Sequence, residues 1–128
     1  MEGLVFVSEA GVAVLDENLR PIVSKRYAAD ERLEAYSSLR LGEAAAPIED
    51  LLKEALAKGI DVFRVEEEEL SGAVEAMGYK CLPMDSKTSA EIRSKRTELM
   101  VSSGLVSDLS EADNVVRDVA IAISEMKL

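Results

Sequence analysis

The sequence predicts an α/β domain built on a mixed sheet, and two features indicate it. Two short apolar runs, at residues 4–7 and 12–15, and a third predicted strand at residues 21–27 are joined by tight turns, which is typical of an antiparallel meander. Two helix–glycine–strand units follow and close at Gly59 and Gly78. Because a crossover helix lays its flanking strands parallel, we expect a three-strand antiparallel meander followed by helix–strand–helix–strand and C-terminal helices.

The meander is expected to be covered on both sides. Residues 4–7 (LVFV) and 12–15 (VAVL) are apolar at every position rather than at alternate ones, which indicates strands with two buried faces. Pro21, near the start of the third strand, favours a first position or an edge of the sheet.

Two helices are predicted next. Asp30 is a good N-cap for a helix through about residue 41, which Gly42 ends. Residues 44–46 form a short connector, and Pro47 takes the first position of the second helix. The inner side of the first helix is expected to hold Leu33, Tyr36 and either Leu39 or Arg40; that of the second holds Ile48, Leu51, Leu52, Ala55 and Leu56. A strand over residues 60–65 follows Gly59.

The second helix–glycine–strand unit spans residues 66–81. Four glutamates, Glu66 to Glu69, lie at the helix N-terminus, where the macrodipole favours negative charge. Gly78 occupies the position after the helix, where a left-handed conformation is needed. Residues 79–82 then form a short strand, which Pro83 stops. The apolar face of this helix consists of Leu70, Ala73, Val74 and Met77.

The C-terminal part, residues 84–128, is expected to pack helices on the sheet unit of residues 1–83 within one domain. One helix starts after Thr88 or Ser89 and ends at Gly104, and Asp108 with Glu111 resembles a capping box for the last helix. Because no stop signal precedes residue 128, we expect this helix to continue in a longer natural protein. The apolar stripe expected on it is Leu109, Ala112, Val116, Val119, Ile123 and Met126, widened by Val115, Ile121 and Ala122.

Composition narrows the classes of function. The net charge is −10, and acidic residues outnumber basic ones by 12 to 8 in residues 1–64 and by 13 to 7 in residues 65–128. Such a surface is unfavourable for nucleic-acid phosphates and favours a basic protein partner, although excess charge can also serve only solubility. One cysteine, no signal peptide and no apolar run of membrane-spanning length predict a cytoplasmic protein.

The sequence indicates no catalytic, cofactor or metal site. It contains no histidine, no CxxC pair and no phosphate-binding glycine loop, and Cys81 on a strand is expected to be a buried structural thiol. One enzymatic alternative is open. The predicted strand order also fits a ribonuclease-H-like metal nuclease, whose carboxylates would be Glu9, Glu66 and either Asp113 or Asp118.

Four segments resemble the Nop family of scaffold proteins. Residues 69–81 (ELSGAVEAMGYKC) carry a leucine, an alanine-containing helix and Gly-Tyr-X-Cys. Residues 93–96 (RSKR) match a basic pair, with Ser94 where a glycine is common. Arg93 and Arg96 are spaced i, i+3 and are therefore expected on one face of a helix. Residues 5–18 (VFVSEAGVAVLDEN) are similar to the opening hairpin of archaeal members, and residues 102–128 to the start of the helix that leads into a coiled coil.

The resemblance implies a non-catalytic scaffold domain of the archaeal box C/D small-RNA 2′-O-methylation particle. Its partner would be fibrillarin, the S-adenosylmethionine-dependent methyltransferase, whereas guide RNA and a kink-turn-binding protein would contact other regions of the full-length scaffold. An acidic adaptor unrelated to RNA is the remaining alternative. The residues that we expect to contact the partner are Glu66, Glu67, Tyr79, Arg93 and Arg96.

Overall fold

A five-stranded mixed sheet forms the centre of the protein, as the sequence predicts. The computed structural model describes residues 1–43 and 45–126. The strands lie in the order β3-β2-β1-β4-β5, in which β1, β2 and β3 are antiparallel and β4 and β5 run parallel to β1. Their bounds are Glu2–Val7 for β1, Gly11–Leu15 for β2, Pro21–Arg26 for β3, Val62–Val65 for β4 and Cys81–Pro83 for β5.

Six α-helices are described around this sheet, with one 3₁₀ turn at Ala29–Glu31. In residues 1–43 and 45–126, none of the helices has the length and apolar character required to cross a membrane. The helices are α1 (Arg32–Arg40), α2 (Ala45–Ala57), α3 (Glu68–Ala76), α4 (Ser86–Ser94), α5 (Arg96–Ser102) and α6 (Leu109–Met126).

Both faces of β1 and β2 are covered, which confirms the expectation from their apolar runs. On one face, Val12 lines a small cavity together with Leu39 of α1 and Ile48 of α2. On the other face, the segment after α5 lies so close that a Cβ on Gly11 would be 2.7 Å from a Leu105 methyl carbon. The central strands therefore lie between two helical layers.

The edges of the sheet follow the sequence signals. Pro21 is the first residue of β3, which is an edge strand. A proline at this position is tolerated, because its missing N–H removes no hydrogen bond from the interior of the sheet. The glycine stops are confirmed as well: φ is +102° at Gly59, +93° at Gly78 and +73° at Gly104. At the opposite edge, the strand expected over residues 79–82 covers Cys81–Pro83 instead. Pro83 does not stop this strand but is its last residue, paired with Val65.

Two helix starts differ from the prediction. Asp30 lies inside the 3₁₀ turn, in which the Glu31 N–H donates to the Ala28 carbonyl at 3.0 Å. Asp30 caps no helix, because an N-cap residue has extended rather than helical backbone. Helix α2 begins at Ala45 rather than at Pro47, since alanine strongly favours helix and a proline is tolerated throughout the first turn. Residue 44 of the predicted connector lies outside the described residues.

The single helix expected between residues 88 and 104 is two helices, so that prediction is wrong. Asp85 starts α4 earlier, because its Oδ1 accepts the Thr88 N–H at 2.7 Å. The chain leaves helical geometry at Lys95, with φ −106° and ψ +15°. Just before the break, the Ser94 hydroxyl donates to the Glu91 carbonyl at 3.0 Å, and such local bonds compete with the helical ladder.

The apolar stripe of α6 is only partly buried. Ala112, Val115 and Val119 lie in the core, whereas Leu109 and Met126 at the two ends are 51% and 71% exposed. A helix buries only the part of its stripe that neighbouring elements cover, and α1 and α5 contact α6. The N-terminus is capped as predicted, since Asp108 Oδ1 accepts the Glu111 N–H at 2.8 Å. Residues 127–128 lie outside the described part of the chain.

The other predicted core positions are largely confirmed. Leu56 is 39% exposed, and Leu33, Ala73 and Met77 are only partly buried. Burial raises the pKa of the Cys81 thiol, in agreement with its predicted buried position. The buried members are Tyr36 and Leu39 of α1, Ile48, Leu51, Leu52 and Ala55 of α2, and Leu70 and Val74 of α3.

A buried ion-pair network and a candidate partner surface

The neighbouring parallel strands β1 and β4 end at the same edge of the sheet. Glu9 follows β1 after one further residue, and Glu66 and Glu67 follow β4 directly. In open α/β sheets, the crevice outside the carboxyl ends of parallel strands is where ligands usually bind. Here the Arg96 side chain, from the first residue of α5, occupies this position.

Arg96 forms a partly buried ion pair with Glu9. Its Nε donates to Glu9 Oε1 at 3.1 Å and its Nη2 donates to the same oxygen. Nη2 also donates to the Val7 carbonyl at 3.2 Å, and the guanidinium carbon lies 5.7 Å from the Phe6 ring centroid. Burial acts to lower the pKa of Arg96, but the hydrogen bond to Glu9 and the neighbouring negative charges together outweigh burial, so the pKa is raised.

Tyr36 extends this pair into a network. Its hydroxyl oxygen accepts hydrogen bonds from Arg40 Nη1 at 3.1 Å and from Arg96 Nη2 at 3.4 Å. Arg40 Nε lies 3.8 Å from Glu67 Oε1. Burial raises the pKa of Glu67, because the ionised carboxylate is partly removed from water. The network thereby connects α1, β1, the start of α3 and α5.

Arg93 and Glu66 form a separate pair at the surface. Arg93 Nε donates to Glu66 Oε1 at 2.7 Å, and the Arg93 side chain is 69% exposed. Arg93 and Arg96 were expected on one helix face because of their spacing, and this expectation is wrong. The break at Lys95 places Arg93 on α4 and Arg96 on α5, so one cation faces solvent and the other enters the network.

The structure brings together four of the five residues expected to contact a partner. Glu66, Glu67, Arg93 and Arg96 lie at the carboxyl edge of β4, whereas Tyr79 precedes β5 and lies at its amino edge. Tyr79 is partly buried and packs edge-on against Phe63, with ring centroids 5.8 Å apart.

Sequence reasoning missed two members of the network. Tyr36 was expected in the core for its apolar ring, and Arg40 only as an alternative to Leu39 on the inner side of α1. Their polar atoms meet Arg96 and Glu67, which are far along the chain. Their i, i+4 spacing is the one local signal that relates them to each other.

The carboxylates considered for a metal nuclease do not form a set, although Glu9 and Glu66 follow neighbouring parallel strands. Glu9 is bound by Arg96 and Glu66 by Arg93, while Asp113 and Asp118 are exposed on α6. In the part of the chain that the structure describes, no group of three or more carboxylate, thiol or imidazole side chains is arranged to hold a metal ion.

Comparison with known families assigns the chain. A family model described as the archaeal Nop5/56-related N-terminal domain matches residues 5–128. The chain belongs to this family. The match confirms the resemblance drawn from the sequence motifs and is consistent with a scaffold role. A comparison of this chain with curated proteins found no match.

Proposed function

We propose that this Nop5/56-related domain is a non-catalytic scaffold module that docks fibrillarin, the RNA 2′-O-methyltransferase, into a box C/D guide ribonucleoprotein. The observation that carries the proposal is the family match over residues 5–128. A scaffold of this kind would act by position, because holding the enzyme over a guide–target duplex replaces a diffusive encounter with a placed one. Its proposed location is the cytoplasm, where the particle meets its RNA.

The charge of the domain supports a protein partner rather than direct RNA contact. The net charge of −10 disfavours phosphate contacts. We therefore assign guide RNA and the kink-turn-binding protein to other regions of the full-length scaffold. A basic enzyme surface would complement the acidic one and accelerate association.

The proposed contact residues differ in what they can do. Glu66 and Arg93 are available for direct contact, because their pair lies at the surface. Glu67 and Arg96 belong to the network, in which their contacts hold the start of α3 and of α5. Tyr79 lies at the other end of β5, but three residues of strand span only about 10 Å. One partner that covers about 800 Å² reaches both ends.

Co-elution with an archaeal fibrillarin at micromolar concentration and low salt tests the proposal. We expect a complex that weakens as salt rises. Arg93→Glu should weaken it about tenfold, because the loss of an exposed arginine that contacts the partner directly outweighs the added attraction to a basic surface. Lys58→Glu, an equal charge change at the exposed position that follows α2, should change the affinity less than twofold. Absence of any complex would leave the acidic adaptor unrelated to RNA as the better reading.

The proposal that the domain is non-catalytic is tested separately. Wild-type protein and Glu9→Gln should be equally inactive on RNA and branched DNA with Mg²⁺ or Mn²⁺. Metal-dependent cleavage that Glu9→Gln abolishes would favour the nuclease alternative.

A further inference from the structure

A groove of about 550 Å³ runs along the outer face of α3 at the β5 edge of the sheet. Its lining combines apolar side chains with carboxylates, and the carboxylates of Glu68 and Glu75 are called its rim below. Helix α3 is held there against β5, where the Ser71 hydroxyl lies 3.3 Å from the Cys81 sulfur. The groove is lined by Val65, Glu66, Glu68, Ser71, Gly72, Glu75 and Pro83.

Gly72 lies in the middle of this groove, and the domain itself does not require a glycine there. The residue is inside α3 with ordinary helical backbone, and a Cβ built on it would meet nothing within 4 Å. Glycine is unfavourable in a helix interior. The effect of the missing side chain is to deepen the groove, so that an incoming group can approach the helix backbone.

The charges along the groove point to the chemistry of its occupant. Glu68, Gly72 and Glu75 are spaced i, i+4 and i+7, so the two carboxylates stand on either side of the glycine on one helix face. Within residues 1–43 and 45–126, no basic group forms an ion pair with Glu68 or Glu75. About 10 Å separates their positions along the axis, so a cation above Gly72 is within reach of both.

We propose that this groove receives a basic side chain, arginine or lysine, from a protein partner. The aliphatic stem packs over Gly72 and Pro83, and the cationic end lies between Glu68 and Glu75, as long basic side chains combine apolar contact with a solvated charge. Nucleic acid is excluded as the occupant, because its phosphates carry the same sign of charge as the rim. The inference rests on the proposed function, in which that partner is fibrillarin.

Fibrillarin titrations against two groove variants test the inference. Gly72→Leu fills the groove, and Glu68→Lys/Glu75→Lys reverses its rim. Ala120→Leu on α6 controls for an added exposed leucine, and Glu34→Lys/Glu54→Lys for an identical change in net charge at exposed positions elsewhere. We expect both groove variants to bind at least tenfold more weakly and both controls to stay within twofold of wild type.

The same experiment separates failure of the groove from failure of the docking proposal. Gly72→Leu should melt no lower than wild type, because leucine is the better helix former, so its weaker binding cannot be ascribed to unfolding. If wild type binds fibrillarin and both groove variants bind within twofold of wild type, the proposal that the groove receives a basic side chain is overturned, whereas the docking proposal stands.

A second experiment tests the groove without fibrillarin, for the case in which wild type does not bind the enzyme. An octa-arginine peptide is titrated into labelled protein and followed by NMR. Amide shifts concentrated at Ser71, Gly72 and Glu75 and abolished by Gly72→Leu support the groove; shifts spread over the whole acidic surface overturn it.

Discussion

Substitution of Arg96 by methionine tests the central structural role of the buried network. The change keeps much of the aliphatic stem and removes the guanidinium, which leaves the Glu9 carboxylate without its cation. The Glu9 side chain is only 6% exposed, so water would replace the arginine only in part. The Val7 carbonyl and the Tyr36 hydroxyl lose a donor at the same time.

The magnitude follows from the cost of an uncompensated buried charge. Removing one partner of a buried pair typically lowers the free energy of unfolding by about 3–5 kcal/mol. Arg96 itself is 27% exposed, which admits some solvent, so we expect the lower end, about 3 kcal/mol. For a domain of this length that corresponds to a decrease in Tm of about 10 °C.

Urea denaturation and thermal melting of four proteins provide the assay. Arg93→Met is the matched control, because it removes the same group three residues away from an exposed pair; it should lower stability by at most about 1 kcal/mol. The double variant Glu9→Gln/Arg96→Met should recover part of the loss, since no buried charge is then left alone. If Arg96→Met and Arg93→Met are equally stable, the assignment of Arg96 to a buried network is refuted.

Three further predictions concern single elements. Gly42→Ala should lower the free energy of unfolding by about 2 kcal/mol, because φ is +71° and the new Cβ would lie 2.5 Å from the Glu69 carbonyl oxygen; an unchanged denaturation midpoint would contradict this. Asp108→Ala should cost about 1 kcal/mol through loss of the α6 cap, measured in the same way, whereas Asp108→Asn should retain most of the stability. Burial raises the pKa of Glu67 in the folded state, so the folded protein binds the proton more tightly than the unfolded chain does. Wild type should therefore gain stability relative to Glu67→Gln as the pH falls from neutral towards 4.5. A difference in free energy of unfolding between the two proteins that stays constant with pH would contradict the burial of Glu67.

The sequence by itself determined the local elements and the family. The β1 and β2 runs, apolar at every position, are buried on both faces, and the glycines at positions 59, 78 and 104 adopt the positive φ expected after a helix. These features depend on a residue and its near neighbours, through backbone sterics and the periodicity of apolar side chains. The motifs that resemble the Nop family are likewise contiguous stretches, and the family match covers them.

Only the tertiary structure decided how distant groups meet. Glu9 and Arg96 are 87 positions apart, and they pair because β1 neighbours β4 while the break at Lys95 turns α5 inward. The same break separates Arg93 from Arg96, which local spacing alone placed on one face. Contacts between residues that are distant in sequence depend on strand order and helix packing. Both are set by how the whole chain buries its apolar side chains, and no single stretch of sequence determines them.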